Sequence, residues 1–277
     1  MKRSVAISIV LFAAAVQAVA AAADGGPSPG VYSGWNGVLS RNGQVRYVAV
    51  TARASTVVEV VRVLGGRVLR WTTIPGTYGT PAVAYDGSMG GLSQDGKTLV
   101  LASYPRVPGG GGATRFAFLK TRNLQLKTTV VLKGSFSFDA LSPDGSTMYL
   151  IQYTSAQDYT QYRVRAYDVV RGQLIPDAIV DKREPDEQMN GGPVTRLTTP
   201  DGRWAYTLYA RQSEAPFIHA LDTVERKAYC IDLPLKFEQQ RQMGMRLRFH
   251  GPQRIDVRSR YRTVAVVDMQ KLEARKA

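Results

Sequence analysis

One short turn, Ser142-Pro143-Asp144-Gly145, constrains this chain more than any other stretch of its sequence. Proline sets φ for a tight turn, aspartate accepts hydrogen bonds from the backbone that follows, and glycine adopts a positive φ without steric cost. Apolar runs of β-branched and aromatic residues lie on both sides of the turn, which is typical of a β-hairpin. We therefore predict two antiparallel strands joined at this point.

Variants of the same turn recur along the chain, with their glycines about 50 residues apart. About 20 residues after such a turn, a second strand ends in aspartate, at Asp168 and again at Asp222. A period near 50 residues built from four short strands is typical of a propeller blade. We predict an all-β chain, a β-propeller of four-stranded antiparallel blades with about five recognisable repeats. The turn glycines are Gly43, Gly96, Gly145, Gly202 and Gly251.

The combination of Leu-Ser-Pro-Asp-Gly, an apolar strand and a Tyr-Asp or Leu-Asp strand end resembles the TolB-like and YVTN-type β-propeller repeats of bacterial exported proteins. The resemblance covers roughly residues 38–268 and implies the fold. It says little about activity, because these Asp and Gly residues hold turns. Such families usually have six or seven blades, so either the ring has five blades or one blade is too degenerate to identify. We expect residues 31–39 to close the ring by pairing with the last blade.

The N-terminus has the features of a targeting segment. Lys2 and Arg3 precede an apolar run over residues 5–16, and small residues follow at 19–23. This order is typical of a secretory signal peptide, and the alternative is an uncleaved membrane anchor. We predict a signal peptide over 1–23, a lead-in segment over 24–37 and one propeller domain over 38–277, with a secreted or other extracytoplasmic location in the cell envelope.

The formal net charge is +14, and the C-terminal segment from Lys236 onward contributes half of it. Such a field favours anionic partners, and outside the cytoplasm these are acidic lipid, wall polymer or polysaccharide rather than nucleic acid. Alternation along a strand would place three arginines after Ile255 on one face, with two more arginines nearby. Carboxylates of a neighbouring blade or solvent could satisfy them, and the alternative is a patch that binds an anion or a membrane surface. The anion-binding candidates are Arg246, Arg248, Arg258, Arg260 and Arg262.

Four carboxylates occupy one long connection between predicted strands. Oxygen ligands of this kind suit a hard cation such as Ca²⁺, the one cofactor that we consider, and the alternative is a solvated charged loop. The cation candidates are Asp181, Glu184, Asp186 and Glu187.

Sequence motifs of common enzyme classes are absent, and we assign no catalytic residue. His219 lies within an alternating strand, His250 lies beside a turn, and Cys230 has the context of a small buried hydrophobe. The leading hypothesis is a secreted, monomeric, non-catalytic module that binds a protein or an anionic cell-envelope polymer, with peripheral contact to a membrane surface left open. The alternative is a cation-dependent hydrolase or lactonase-like enzyme, whose site would lie at the channel mouth and use the four loop carboxylates.

Overall fold

The computed structural model describes residues 30–104, 112–155, 161–185, 189–236 and 239–277. The predicted signal peptide and residues 24–29 of the lead-in segment lie outside these ranges. The described residues form β-strands almost throughout, with one short helix, α1 (Gln239–Met243). In these ranges we find no helix with the length and apolar character needed to cross a membrane.

The strands form five consecutive antiparallel sheets, and within each sheet every strand pairs with the next along the chain. This is the blade pattern that the repeats predict, and the fold prediction is confirmed. The first blade contains β2 (Gly34–Leu39), β3 (Val45–Ala52), β4 (Ser55–Arg62) and β5 (Val68–Pro75); the second contains β7 (Thr98–Ala102), β8 (Ala113–Lys120) and β9 (Leu126–Lys133). A separate two-stranded sheet joins β1 (Val31–Tyr32) to β6 (Thr80–Pro81).

The remaining three blades have four strands each. The third contains β10 (Phe136–Leu141), β11 (Thr147–Tyr153), β12 (Tyr162–Asp168) and β13 (Gln173–Leu174); the fourth contains β14 (Gly192–Thr198), β15 (Trp204–Ala210), β16 (Phe217–Asp222) and β17 (Lys227–Asp232); the fifth contains β18 (Met245–Phe249), β19 (Arg254–Ser259), β20 (Arg262–Asp268) and β21 (Glu273–Lys276).

The recurring turn joins the first and second strands of a blade. Asp144 Oδ1 accepts hydrogen bonds from Ser142 Oγ at 2.7 Å and from the Ser146 backbone N–H at 3.0 Å, while Gly145 has φ +72°. Asp95 and Asp201 accept the equivalent bonds in the second and fourth blades. The side-chain oxygen thus replaces a backbone partner for the residues that leave the turn.

The aspartate at the end of the third strand has a similar role. Asp168 Oδ1 accepts the backbone N–H groups of the second and third residues after it, and Asp222 and Asp268 do the same. Both recurring sequence elements are therefore turn-forming devices, which is why they predict the blade pattern and carry no chemistry of their own.

The second blade lacks a regular innermost strand. Residues 79–93 take its place and run across the centre of the molecule, where the backbone N–H of Tyr85 donates to the carbonyl of Pro193 at 2.9 Å. At the end of this segment, Gln94 Nε2 donates to the carbonyl of Pro200 in the turn of the fourth blade. The second blade therefore contacts the fourth directly, and this segment fills the central axis.

Apolar clusters lie between neighbouring blades, from the first to the fifth. None of the five clusters formed by the described residues joins the fifth blade to the first. We call the junction between these two blades the open seam.

The structure corrects the expected ring closure. Residues 31–39 form β1 and β2, which pair with β6 and β3, so they add nothing to the last blade. The fifth blade builds all four of its strands from residues 245–276, and no vacant strand position remains for the N-terminal segment. The first blade also begins at Gly34, within the predicted lead-in, rather than at residue 38.

Candidate functional site

The arginine-rich surface lies on the face of the fifth blade that points to the open seam. Arg246 lies directly opposite Arg258 in the sheet, and Arg248 lies opposite Asp256, so these side chains share one face. The other face carries Leu247, which packs against the fourth blade with its apolar neighbours. Although they lie on the innermost strand of the blade, Arg246 and Arg248 are exposed.

The expected alternation of Arg258, Arg260 and Arg262 along one strand is wrong. Strand β19 ends at Ser259, Arg260 occupies the following turn with φ +53°, and Arg262 begins β20. The turn interrupts the alternation, so the three side chains do not form one row. Register instead adds Arg254 and Arg275 to the face that carries Arg246, Arg248 and Arg258.

We call these five residues, Arg246, Arg248, Arg254, Arg258 and Arg275, the arginine face. Its central carboxylate is already in use, because Asp256 Oδ1 accepts a hydrogen bond from Arg254 Nε at 2.7 Å. The second oxygen of Asp256 lies 3.4 Å from His250 Nδ1. Arg246 and Arg258 donate only to backbone carbonyls among the hydrogen bonds of the described residues. The face therefore keeps a surplus of positive charge directed at solvent.

Positive charge is concentrated on the two blades that flank the open seam. Residues 31–75 contain six arginines and one acidic residue, and residues 245–277 contain nine basic and three acidic residues. These segments carry +5 and +6 of the total of +14. The three central blades are nearly balanced, so the field of the protein is strongest around the seam.

The first blade presents an apolar surface to the same seam. Val48, Glu59 and Trp71 are directly opposite one another across β3, β4 and β5, on the face that points away from the second blade. Trp71 is 66% exposed, and Trp35 on β2 is 73% exposed. The outer part of this face is therefore exposed at Trp71, whereas Val48 in the same row is buried.

Two of the four loop carboxylates, Asp181 and Glu184, lie within the described residues. Asp181 is buried and forms a bidentate pair with Arg183, whose Nη2 lies 2.7 Å from Asp181 Oδ2, and it also accepts the Cys230 backbone N–H at 2.7 Å. Burial alone would raise the pKa of Asp181, but these hydrogen bonds lower it below its ordinary value. Glu184 is exposed, and Asp186 and Glu187 lie outside the described residues.

Asp181 therefore holds the connection against the fourth blade, and its oxygens are already occupied. No group of three or more His, Cys, Asp or Glu side chains comes together among the described residues.

A buried ion pair at the centre of the molecule escaped sequence analysis. Arg196 on β14 donates to the carboxylate of Asp139 on β10 and, at 3.1 Å, to its backbone carbonyl. Both side chains are buried, and they line a cavity of about 380 Å³ together with other polar residues, among them Gln94 and Thr198. Asp139 interrupts an apolar strand, and Arg196 interrupts another 57 residues later. Those two interruptions are the only sequence signal of the pair.

Arg196 begins a row of side chains that crosses the fourth blade. Arg196 lies opposite Thr207, Thr207 opposite His219, and His219 opposite Cys230. Apolar clusters lie on both sides of this row in the interface with the third blade. Burial lowers the pKa of His219 to about 4, so its ring is neutral at physiological pH. Neither ring nitrogen has a hydrogen-bond partner among the described residues.

Comparisons with sequence families and curated proteins give no match: no family model fits this chain, and no curated protein resembles it significantly. Solved structures do match. An oligogalacturonate lyase in complex with manganese superposes with a TM-score of 0.51 at 11% identity, over 87% of this chain and 64% of the lyase.

TolB from Acinetobacter baumannii superposes with a TM-score of 0.44 at 10% identity over 87% of this chain, and the Dos1 propeller gives 0.47 at 10% identity over 86%. The chain spans 52% of the length of that TolB protein and 56% of the Dos1 propeller chain. At these identities the likeness shows the β-propeller fold alone.

Proposed function

We propose that this chain is a non-catalytic binding module of the cell envelope, whose arginine face binds an anionic polymer. The observation that supports the proposal is the exposure of Arg246 and Arg248 on an innermost strand, where propeller blades normally pack against each other. A guanidinium at such a position repels its neighbours unless a counter-charge lies opposite. The nearest carboxylate, Asp256, already pairs with Arg254.

A polyanion would supply the counter-charges at the spacing of the strand. Adjacent side chains on one strand face recur every ~7 Å, which is two residues at about 3.3 Å each. Arg246 and Arg248 have this separation along β18, and Arg258 extends the row to β19. A linear polymer with regularly spaced carboxylate, sulfate or phosphate groups can meet several guanidinium groups at once, and Arg forms bidentate bonds with each of these anions.

The other groups considered for catalysis support a binding role better than an enzymatic one. His219 is fully buried and neutral, and Asp181 is held by Arg183 and by the backbone of Cys230. Among the described residues, no cluster of possible metal ligands favours the cation-dependent alternative. The cell-envelope location of the proposal depends on the predicted signal peptide.

The decisive test is binding of the purified chain to immobilised heparin and polygalacturonate over a series of salt concentrations. The variant is Arg246→Glu with Arg248→Glu. The matched control is Arg122→Glu with Lys127→Glu, two exposed residues of the second blade that change the net charge by the same amount. We expect the variant of Arg246 and Arg248 to bind at least about tenfold more weakly and to show a shallower salt dependence, whereas the control variant loses little affinity.

Equal losses of affinity in both variants would show that binding depends on net charge alone, and this would overturn the proposal. So would salt-insensitive binding, or a wild-type chain that binds neither polymer at low salt, which would favour a protein partner. Turnover of a polymer that stops on one substitution without unfolding would replace the binding module by an enzyme.

A further inference from the structure

The loop between β4 and β5 at the end of the first blade exposes apolar side chains to solvent. Leu64 is 86% exposed and Val63 is 48% exposed, and Val68 and Leu69 follow on the same hairpin. Nine of the 16 exposed large hydrophobic side chains of the described residues belong to residues 31–75. Scattered exposed apolar residues are ordinary on protein surfaces, but a concentration of this kind on one blade marks an interaction site.

The backbone of this hairpin is well ordered and prevents the apolar residues from folding back. The Arg62 N–H donates to the Arg67 carbonyl at 2.8 Å and closes the loop. The Val63 N–H donates to the Gln44 carbonyl at 2.9 Å, which fixes the loop to the turn between β2 and β3. Gly65 and Gly66 have φ +80° and +65°, and a Cβ at either would meet nothing within 4 Å. The loop therefore projects into open space.

Arginines flank the apolar residues of the loop. Arg62 and Arg67 flank the loop, Arg41 lies in the adjoining turn, and all three are exposed. Glu59, the sole acidic residue of this blade, lies opposite Trp71 and is therefore some three residues, or about 10 Å, away from the loop. We call the loop and its surroundings the first-blade tip: Leu39, Arg41, Arg62, Val63, Leu64, Arg67, Val68 and Leu69.

We propose that the first-blade tip inserts into the surface of a bilayer that contains anionic lipid. The order of groups along the hairpin fits the layers of such a surface. Leu64 and Val63 lead, and the arginines follow at the level of the headgroups. Interfacial elements enter the headgroup and acyl boundary by about 5–10 Å.

Charge favours an anionic bilayer over a second copy of the chain as the occupant of the first-blade tip. A second copy of the chain would bring another basic first blade against the tip, because residues 31–75 carry +5, and the whole chain is also positive. An anionic bilayer attracts the same arginines, each of which strengthens binding about fivefold near such a surface. It also accepts the apolar side chains.

This surface is separate from the arginine face and does not depend on the polymer proposal. The test is co-sedimentation of the chain with vesicles of phosphatidylcholine alone or mixed with phosphatidylglycerol. The protein is purified in the form that the cell produces, and mass spectrometry establishes that every variant has the same N-terminus. The variant is Val63→Ser with Leu64→Ser. The matched control is Val170→Ser with Val224→Ser, because these valines are 82% and 52% exposed in turns of the third and fourth blades.

We expect the chain to bind mixed vesicles more strongly than phosphatidylcholine, and the tip variant to lose at least about tenfold in its partition coefficient. The turn control and the variant of Arg246 and Arg248 keep most of the binding. The inference is overturned if the tip variant binds like the wild type, if the control loses as much, or if both kinds of vesicle bind equally. It is also overturned if sedimentation shows that the wild-type chain is a dimer that does not bind vesicles and that the tip substitutions make it a monomer. A second copy of the chain would then be the occupant of the first-blade tip.

Discussion

Arg196 of the fourth blade donates hydrogen bonds to Asp139 of the third blade through both of its terminal nitrogens, one to the carboxylate and one to the backbone carbonyl. Both side chains are buried next to the central axis. The pair thus joins the innermost strands of two blades with opposite charges that water does not screen.

The substitution Arg196→Met should destabilise the protein by about 3–5 kcal/mol, because it leaves the carboxylate of Asp139 buried without its counter-charge. Urea denaturation measures the loss. Arg171→Met serves as the control, since Arg171 is largely exposed in its pair with Asp168 and the pair should contribute little. Adding Asp139→Leu to Arg196→Met should restore much of the stability. Equal losses for Arg196→Met and Arg171→Met would contradict the importance of the buried pair.

His219 should make the protein sensitive to mild acid. Its pKa is about 4 in the folded protein and near the ordinary 6.5 when unfolded, so below pH 6.5 the unfolded chain binds a proton that the folded chain does not. Stability is complete above pH 6.5 and falls as the pH approaches 4, by about 2 kcal/mol between pH 7.5 and pH 5. Urea unfolding at both pH values measures the difference.

The variant His219→Leu should lose most of that pH dependence, since no ring remains to be protonated. His250→Leu is the control, because His250 is exposed and is the other histidine of the chain. An unchanged dependence in His219→Leu would assign the acid sensitivity to other groups.

The recurring turn gives a prediction for stability. Asp144→Ala removes the acceptor for Ser142 Oγ and for the backbone and side chain of Ser146, which should cost about 1–2 kcal/mol. The hydrogen bond from the Ser146 backbone is the main cause that lowers the pKa of Asp144, so this contribution disappears as the pH falls below about 4. Thermal melts at pH 7 test it against Asp177→Ala, at an exposed position. A similar melting temperature for both variants would be the contrary result.

Removal of divalent cations should leave the melting temperature unchanged, because Asp181 is already bonded to Arg183 and to the Cys230 backbone. Asp181→Asn should lower it, since the amide cannot replace the charge opposite Arg183. Calorimetry with and without chelator, together with elemental analysis, checks both statements. A stoichiometric ion whose loss destabilises the protein would restore the loop as a cation site.

The blade pattern could be predicted because its causes are local. A side-chain oxygen two residues before the N–H it accepts, as in Asp144, leaves the same trace in the sequence wherever the turn occurs. The state of the seam could not be predicted in this way. Trp71 alternates with its neighbours like a residue of any buried sheet face, and its exposure depends on whether another blade covers it.

The candidate site, too, could be predicted where its causes are local and not where they depend on tertiary contacts. Sequence identified Arg246, Arg248 and Arg258, whose register the structure places on one sheet face, but it included Arg260 and Arg262 because the turn after Ser259 has no glycine or proline to reveal it. Sequence could not show that Asp181 is already bonded, because one of its partners is determined by a tertiary contact. The N–H that bonds Asp181 belongs to Cys230, 49 residues further along the chain.

The open seam also affects how the protein comes apart. In a closed ring every blade has two neighbours, but here the first and the fifth blades have one apolar cluster partner each among the described residues. The second and fourth blades, by contrast, are tied across the axis by the hydrogen bonds of Tyr85 and Gln94. The molecule should therefore unfold like a short stacked array of blades whose centre is held together. The first and fifth blades can detach separately, and the amide hydrogens of the three middle blades stay protected from exchange longest.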